Sequence, residues 1–223
     1  RRAPENCPLG ALPGGGESLL TRRVGWVVNA VGESDRSRMN TAITLDRRTA
    51  AIFYSDVVGY SRLMGADEIG TISALRATLG AIALPAIRDG GGRLVQVAGD
   101  AILAEFAGAP SAVDCAVTIQ RRLAERKIGI DPERRIEFRI GVNYGEIIGE
   151  EDRIFGDTVN IAARLEGIAE PGGLAISRKV LETIADRKDL VFESMGERRL
   201  KNIAHPVEVF RLASGRPSRS LEP

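Results

Sequence analysis

Two short apolar runs, each delivering one aspartate at its end, constrain this chain more than any other feature. The first is residues 50–61, Ala-Ala-Ile-Phe-Tyr-Ser-Asp-Val-Val-Gly-Tyr-Ser; the second is residues 93–106, Arg-Leu-Val-Gln-Val-Ala-Gly-Asp-Ala-Ile-Leu-Ala-Glu-Phe. Residues 50–57 have the length and apolar character of a buried strand, and a glycine-containing turn follows Asp56. In the second run, two apolar halves meet at Gly99-Asp100, a dipeptide suited to a tight hairpin turn. Between the runs, Ile69, Ile72, Leu75, Leu79, Ile82 and Ile87 recur at near-helical spacing and predict a helix over residues 66–89. Gly90-Gly91-Gly92 ends it; no Lys-Ser/Thr follows, so the triplet reads as a helix end and turn, not a phosphate loop. A right-handed crossover through that helix sends strands 50–57 and 93–98 in the same direction, with their C-terminal ends on one edge of the sheet. Asp56 and Asp100 are therefore expected side by side.

Further along, a helix is expected at about 110–126, carrying Val113, Ala116, Val117, Ile119 and Leu123. Residues 136–149 read as two strands hinged at Asn143-Tyr144. A helix over 157–169 is stopped by Glu170-Pro171-Gly172-Gly173. A strand at 174–177, a helix at 178–186 and late strands at 190–194 and 206–212 complete the pattern. The order strand–helix–strand–strand–helix–strand predicts an α+β, ferredoxin-like (βαββαβ) fold. That is an antiparallel sheet core with helices on its faces, here with extra C-terminal strands and a helix.

The structured domain is expected over residues 48–213. Residues 1–47 contain Pro-Leu-Gly-Ala-Leu-Pro-Gly-Gly-Gly and scattered Arg, and read as a flexible tail or linker. Met39 precedes the first well-patterned segment, so residues 1–38 are expected to be a tail or to lie upstream of the natural start; Gly25–Val31 is a candidate short strand. Residues 214–223 read as a disordered tail. A net charge of +1 supplies no field that draws nucleic acid or a membrane surface. No apolar stretch approaches the roughly 18 residues a membrane span needs, and no secretory signal is evident. Cys7 and Cys115 are too few and too far apart for a disulfide framework, so a reducing, cytoplasmic setting is expected, with Cys115 a core residue.

Two carboxylates a few ångströms apart disfavour joint ionisation, which a raised pKa or a bound cation resolves. Taken singly, each aspartate reads as a solvated turn residue. Brought to one sheet edge they point to Mg²⁺ or Mn²⁺, which suit oxygen-rich sites with few protein ligands; one His and no Cys cluster argue against zinc. Two metal ions bridged by two carboxylates would clamp the attacking and leaving oxygens of an in-line phosphoryl displacement. Asn160 and Arg164, four residues apart, project from one helix face among Val159, Ile161, Ala162 and Leu165. As a bland reading they are a polar helix face, but an Arg held in such company suits the charge of a pentavalent phosphorus.

Five segments together carry a specific resemblance. They are Ser-Asp-Val-Val-Gly-Tyr-Ser (55–61), Val-Ala-Gly-Asp (97–100), Phe-Arg-Ile-Gly-Val (138–142), Gly-Asp-Thr-Val-Asn-Ile-Ala-Ala-Arg-Leu-Glu (156–166) and Leu-Lys-Asn-Ile (200–203). In order and spacing, from about 48 to 212, the chain resembles the catalytic domain of class III nucleotidyl cyclases of bacterial type. The resemblance implies a head-to-tail homodimer with active sites shared between protomers. It implies that Asp56 and Asp100, helped by the Val57 carbonyl, hold two Mg²⁺ or Mn²⁺ ions. The Tyr60–Ser61 backbone and Arg139 would cradle the triphosphate, and Lys201 would reach its terminal phosphates. From the partner, Asn160 would orient the ribose and Arg164 would stabilise the transition state. The implied reaction converts ATP to 3′,5′-cyclic AMP and pyrophosphate.

Two positions depart from the family's adenylate-specific pattern. Gln96 stands four residues before Asp100, where Lys is usual, and Arg153 stands seven residues before Asn160, where Asp is usual. Gln96 donates or accepts; Arg153 only donates and cannot accept from the adenine amino group. The guanine-reading pair is also absent. An adenylate cyclase is the leading expectation. A guanylate or base-promiscuous cyclase, or a catalytically weak nucleotide-binding dimerisation module, is the alternative. A palm-type polymerase or dinucleotide cyclase shares the paired carboxylates but not the Asn160/Arg164 helix.

Overall fold

A strand buried on both faces needs apolar residues at successive positions, and the first run of the sequence has them. In the computed structural model, which describes residues 46–150 and 153–213, that run is strand β1 (Asp46–Val57). Ala51, Phe53 and Val57 enter a core on one face of the sheet, and Ala50 and Ile52 a smaller cluster on the other. The strands that follow are β2 (Arg93–Ala98), β3 (Ala101–Phe106), β4 (Phe138–Glu150), β5 (Arg153–Phe155), β6 (Leu174–Ser177), β7 (Phe192–Arg198) and β8 (Val207–Leu212). They form one eight-stranded sheet in the order β2-β3-β1-β4-β6-β8-β7, with β5 paired to β4. β3 pairs antiparallel with both β1 and β2, so β1 and β2 run in one direction with β3 between them. The order β2-β3-β1-β4 is that of a ferredoxin-like core, and β6, β7 and β8 extend it.

The helices are α1 (Tyr60–Ala66), α2 (Glu68–Thr78), α3 (Leu84–Asp89), α4 (Ala109–Arg126), α5 (Asp157–Glu166) and α6 (Arg178–Thr183), with a π-helical turn at Leu79–Ala83. Leu75 of α2, Ile87 of α3, and Val113, Ile119 and Leu123 of α4 bury against Phe53, Phe106 and Phe138 on one face. The Phe53 and Phe106 rings are tilted, with centroids 6.5 Å apart. Ala162 of α5 packs with Ile52, Ile147 and Ile154 on the opposite face.

Several local expectations are corrected. The single helix over 66–89 is instead a chain of short helices starting at Tyr60, interrupted where Asp67 turns extended and its side chain caps α2 by accepting from the Gly70 amide at 2.9 Å. Ile69, expected on the core face, is 82% exposed. Residues 136–149 do not form two strands hinged at Asn143-Tyr144; β4 is continuous. Asn143 is 4% exposed there, donates Nδ2 to the Thr158 carbonyl at 3.1 Å and accepts from Ser177 Oγ at 2.7 Å. β5 was not anticipated, and Asp46 and Arg47 belong to β1, paired with Gly149 and Ile148, so the strand takes in the end of the expected tail. The expected tails at 1–45 and 214–223, and the Gly25–Val31 strand, lie outside the described residues. By length and composition alone the 22-residue run Glu68–Asp89 could cross a membrane, but Leu75, Ile82, Ala83 and Ile87 within it belong to the core.

One charged network fastens the three strands that carry the aspartates. Glu105 of β3, 8% exposed, accepts from Arg48 of β1 at 2.7 and 3.0 Å and from Arg93 of β2 at 2.5 and 3.2 Å. Burial alone would push the Glu105 carboxyl up; the two guanidiniums outweigh it and hold the group below its ordinary 4.5. A lowered pKa stabilises the fold above the unfolded value and is lost as pH falls through the folded one. Glu105→Gln is therefore expected to cost about 1–3 kcal/mol in chemical denaturation at pH 7, with the deficit relative to wild type narrowing below about pH 4.5.

Candidate active site

The end of β1 and the β2–β3 turn meet at one rim of the sheet. Ser55 lies opposite Ile102 of β3, so the next residues of β1 reach the turn that carries Asp100. Gly99 occupies the left-handed region at φ 63°, which lets that turn close in two residues. Asp100 Oδ2 accepts the Val57 amide at 3.3 Å. The side-by-side placement of Asp56 and Asp100 expected from the crossover is thus present. Tyr60 and Ser61 open α1 directly beyond them.

Across the sheet, Asp56 is the register partner of Arg139 on β4. The Arg139 guanidinium donates to Asp56 Oδ2 at 2.8 Å and to Oδ1 at 3.1 and 3.2 Å. Its Nε also lies 2.8 Å from Glu166 Oε1, a charge contact without hydrogen-bond alignment. Glu166 is 6% exposed. Burial first, and then the neighbouring Asp56 carboxylate, raise its pKa against the opposing pull of Arg139. Glu166 has no role in the sequence pattern: it ends the helical motif two residues after Arg164, on the opposite side of the helix. An acidic residue on the side of an amphipathic helix that carries Leu165 was the available signal.

Glu166 reaches Arg139 because α5 lies almost in contact with β4. A Cβ on Gly141 would collide with the Ala162 carbonyl and the Glu166 amide, and one on Gly145 would sit 2.7 Å from Thr158 Oγ1. Thr158 Oγ1 in turn donates to the Glu146 carbonyl at 2.6 Å. Tyr54, on the β1 face that α5 covers, has a phenol raised by burial and then by Glu166, Asp56 and Asp100, with the Arg164 charge opposing.

The other expected site residues lie apart from this cluster. Asn160 and Arg164 are exposed on α5, one turn apart, while Thr158, Ala162, Leu165 and Glu166 face inward. Gln96 is exposed on β2 just after an irregularity in its pairing with β3. Arg153 is exposed on β5, and Lys201 is exposed in the turn between β7 and β8. Among the described residues, none of the five makes a side-chain hydrogen bond or ion pair with Asp56 or Asp100. The rim therefore holds the aspartates with Arg139, while Asn160 and Arg164 stand exposed on α5.

The adenylate and guanylate cyclase catalytic domain matches residues 46–214 of this chain. The chain belongs to that family. A Rhizobium meliloti (strain 1021) protein, provisionally named adenylate cyclase 3, is 41% identical over 167 residues, covering 75% of this chain and 28% of that protein. An adenylate cyclase of Streptomyces coelicolor is 31% identical over 148 residues, 65% of this chain and 36% of its own length. The chain thus spans about a third of the curated relatives it matches. The crystal structure of an adenylate/guanylate cyclase/hydrolase from Silicibacter pomeroyi superposes with a TM-score of 0.73 at 38% identity, over 77% of this chain and 100% of that one. That of a guanylyl cyclase gives 0.64 at 27% identity, over 78% and 96%.

In this cyclase domain the acidic groups at the rim are the Asp56 and Asp100 carboxylates, with the Val57 amide bonded to Asp100. Among the described residues no group of three or more His, Cys, Asp or Glu side chains forms a metal cage. A donor set this sparse fits Mg²⁺ or Mn²⁺, which keep waters and take phosphate oxygens, and not zinc. Arg139 contacts Asp56 and Glu166 but not Asp100, so Asp100 is left without a cation partner among the described side chains, and burial pushes the Glu166 carboxyl up to about 8. Gly141→Ala is expected to push α5 off β4 and to lower stability by about 1–3 kcal/mol, read in thermal and denaturant unfolding.

Proposed function

We propose that this domain is a nucleoside triphosphate cyclase, with ATP the favoured substrate, acting as a homodimer with shared sites. The observation that carries the proposal is the meeting of Asp56 with Asp100 beside Val57, while Asn160 and Arg164 stand exposed on a separate helix face. Asp56, Asp100 and the Val57 carbonyl would hold two Mg²⁺ or Mn²⁺ ions, which when bound supply charge neutralisation and activation of the ribose hydroxyl. The Tyr60–Ser61 backbone would donate to phosphate oxygens, with Lys201 reaching the terminal ones. Arg139 would turn a face of its guanidinium from Asp56 to the triphosphate while Glu166 keeps hold of Nε.

From the partner, Asn160 would position the ribose and Arg164 would stabilise charge on the pentavalent phosphorus. The ribose 3′-oxygen forms a bond to the α-phosphorus as the bond from that phosphorus to the bridging oxygen breaks. Pyrophosphate leaves with that electron pair, and the hydroxyl proton passes to solvent. The products are a 3′,5′-cyclic nucleotide and pyrophosphate.

The adenylate preference is supported by the names of the relatives at 41% and 31% identity. A base-promiscuous or guanylate reading is favoured by Gln96 and Arg153, neither of which completes an adenine-reading pair. Arg153 is exposed on β5 and does not fold into the domain, which speaks for an open base site over a silent module.

With Mn²⁺ and ATP, the purified chain is expected to release cyclic AMP and pyrophosphate, measured by chromatography beside a GTP reaction. Equal or better turnover of GTP would replace the adenylate assignment. Asp56→Ala is expected to abolish turnover, and Arg164→Ala to lower kcat by about 10²-fold or more, as loss of a preorganised charge stabiliser does. Chelation with EDTA is expected to stop the reaction.

A further inference from the structure

On the α2–α4 side of the sheet lies a cavity of about 420 Å³, apart from the paired aspartates and within the size range of small-molecule sites. Its walls come from α1, α2, the end of α4 and the segment 129–136. Leu63, Leu123 and Thr78 are buried in its lining, with Ala74, Ile130 and Ile136 toward solvent. Its charges are unevenly matched. Asp67 is held by Arg134 at 2.6 Å and by the Gly70 amide at 2.9 Å, and Asp131 accepts the Glu133 amide at 3.0 Å. Glu133 is taken by Arg62 at 2.6 Å, and Lys127 pairs with Glu137.

Arg126 and Arg135 remain. Among the described residues neither has a carboxylate partner; Arg135 only donates Nε to the Ile130 carbonyl at 2.9 Å. An apolar chamber lined by two uncompensated guanidiniums suits an apolar body with one anionic headgroup. Asp131, which accepts only the Glu133 amide and has no cation partner among the described side chains, offsets one of these two charges, so a single negative charge is favoured over a phosphate dianion.

The same walls are tied to the loop that follows Asp56. The Val58 amide donates to the Glu137 carbonyl at 2.8 Å, next to Ile136 of the lining. Arg62 Nη1 donates to the Glu133 carbonyl at 3.3 Å as well as to its carboxylate. We propose that this cavity binds a small amphipathic monocarboxylate, and that its occupancy steadies residues 57–62 for the nucleotide. The second half rests on the reading of those residues as the metal and phosphate loop; the first half does not.

The test is calorimetric titration of the full chain with octanoate, with acetate, octylamine and octyl phosphate as comparison arms. Saturable octanoate binding is expected, at least tenfold tighter than acetate or octylamine. Arg126→Ala and Arg135→Ala are each expected to weaken it about tenfold, the loss of one charge-assisted contact. Ala74→Leu, which fills the chamber, is expected to abolish it with unfolding temperature retained. In the kinetic arm, octanoate is expected to lower KM for the nucleotide at least twofold with kcat unchanged. No binding, tighter octyl phosphate or octylamine binding, or indifference to both arginine substitutions overturns the site. Binding without a KM shift overturns the coupling. Absence of any cyclase turnover overturns the proposed function alone, and the binding arm still decides the cavity.

Discussion

The pairing of β1 with β4 sets where the chemistry lies. Its register puts Asp56 directly opposite Arg139, and the β2–β3 hairpin lays Asp100 against Val57. Close approach of α5 to β4 then inserts Glu166 behind Arg139. Two like charges 4 Å apart repel by about 4 kcal/mol at an effective dielectric of 20, far more than an exposed ion pair returns. Placing Asp56 beside Glu166, with Asp100 bonded at the next residue of the strand, is therefore a poor way to stabilise a sheet edge, and the raised Glu166 pKa records that cost. It makes physical sense as an acidic rim that receives cations with a charged substrate.

The halves of the site also follow from one helix. Glu166 points inward to the carboxylate cluster, whereas Asn160 and Arg164 are exposed on the other side of α5. In the proposed reading, a single protomer would offer the acidic groups at its rim and an amide and a guanidinium exposed on α5. In the proposed homodimer, two-fold pairing would let one surface serve the other's rim, because the same patch recurs on each copy. Within a protomer, Glu166 joins the helix that would serve the partner to the arginine of its own rim.

Much of this was legible in the sequence, for identifiable reasons. β1 and the β2–β3 hairpin are continuous apolar runs with a turn dipeptide, and the crossover rule alone brings Asp56 to Asp100. Small and polar residues are where pattern and fold diverge. Asn143 looked like a hinge, yet a long-range pair of hydrogen bonds to Thr158 and Ser177 buries it in mid-strand. Gly141 and Gly145 carry no pattern signal of their own, yet they make room for α5. Ile69 fits the helical period, but the cap at Asp67 restarts the helix and turns it outward. Glu166 was invisible as a site residue because its partners, Arg139 and Asp56, are distant in sequence and meet it only through the fold.

The claim that the rim is one half of a composite site is tested most directly by mixing two inactive variants. Asp56→Ala damages only the acidic half and Arg164→Ala only the opposing half, so a mixed dimer keeps one intact site. Co-refolded in equal amounts, they are predicted to recover on the order of a quarter of wild-type cyclase activity, since half the dimers are mixed and each has one working site of two. A mixture no more active than the better of the two variants alone would contradict the account.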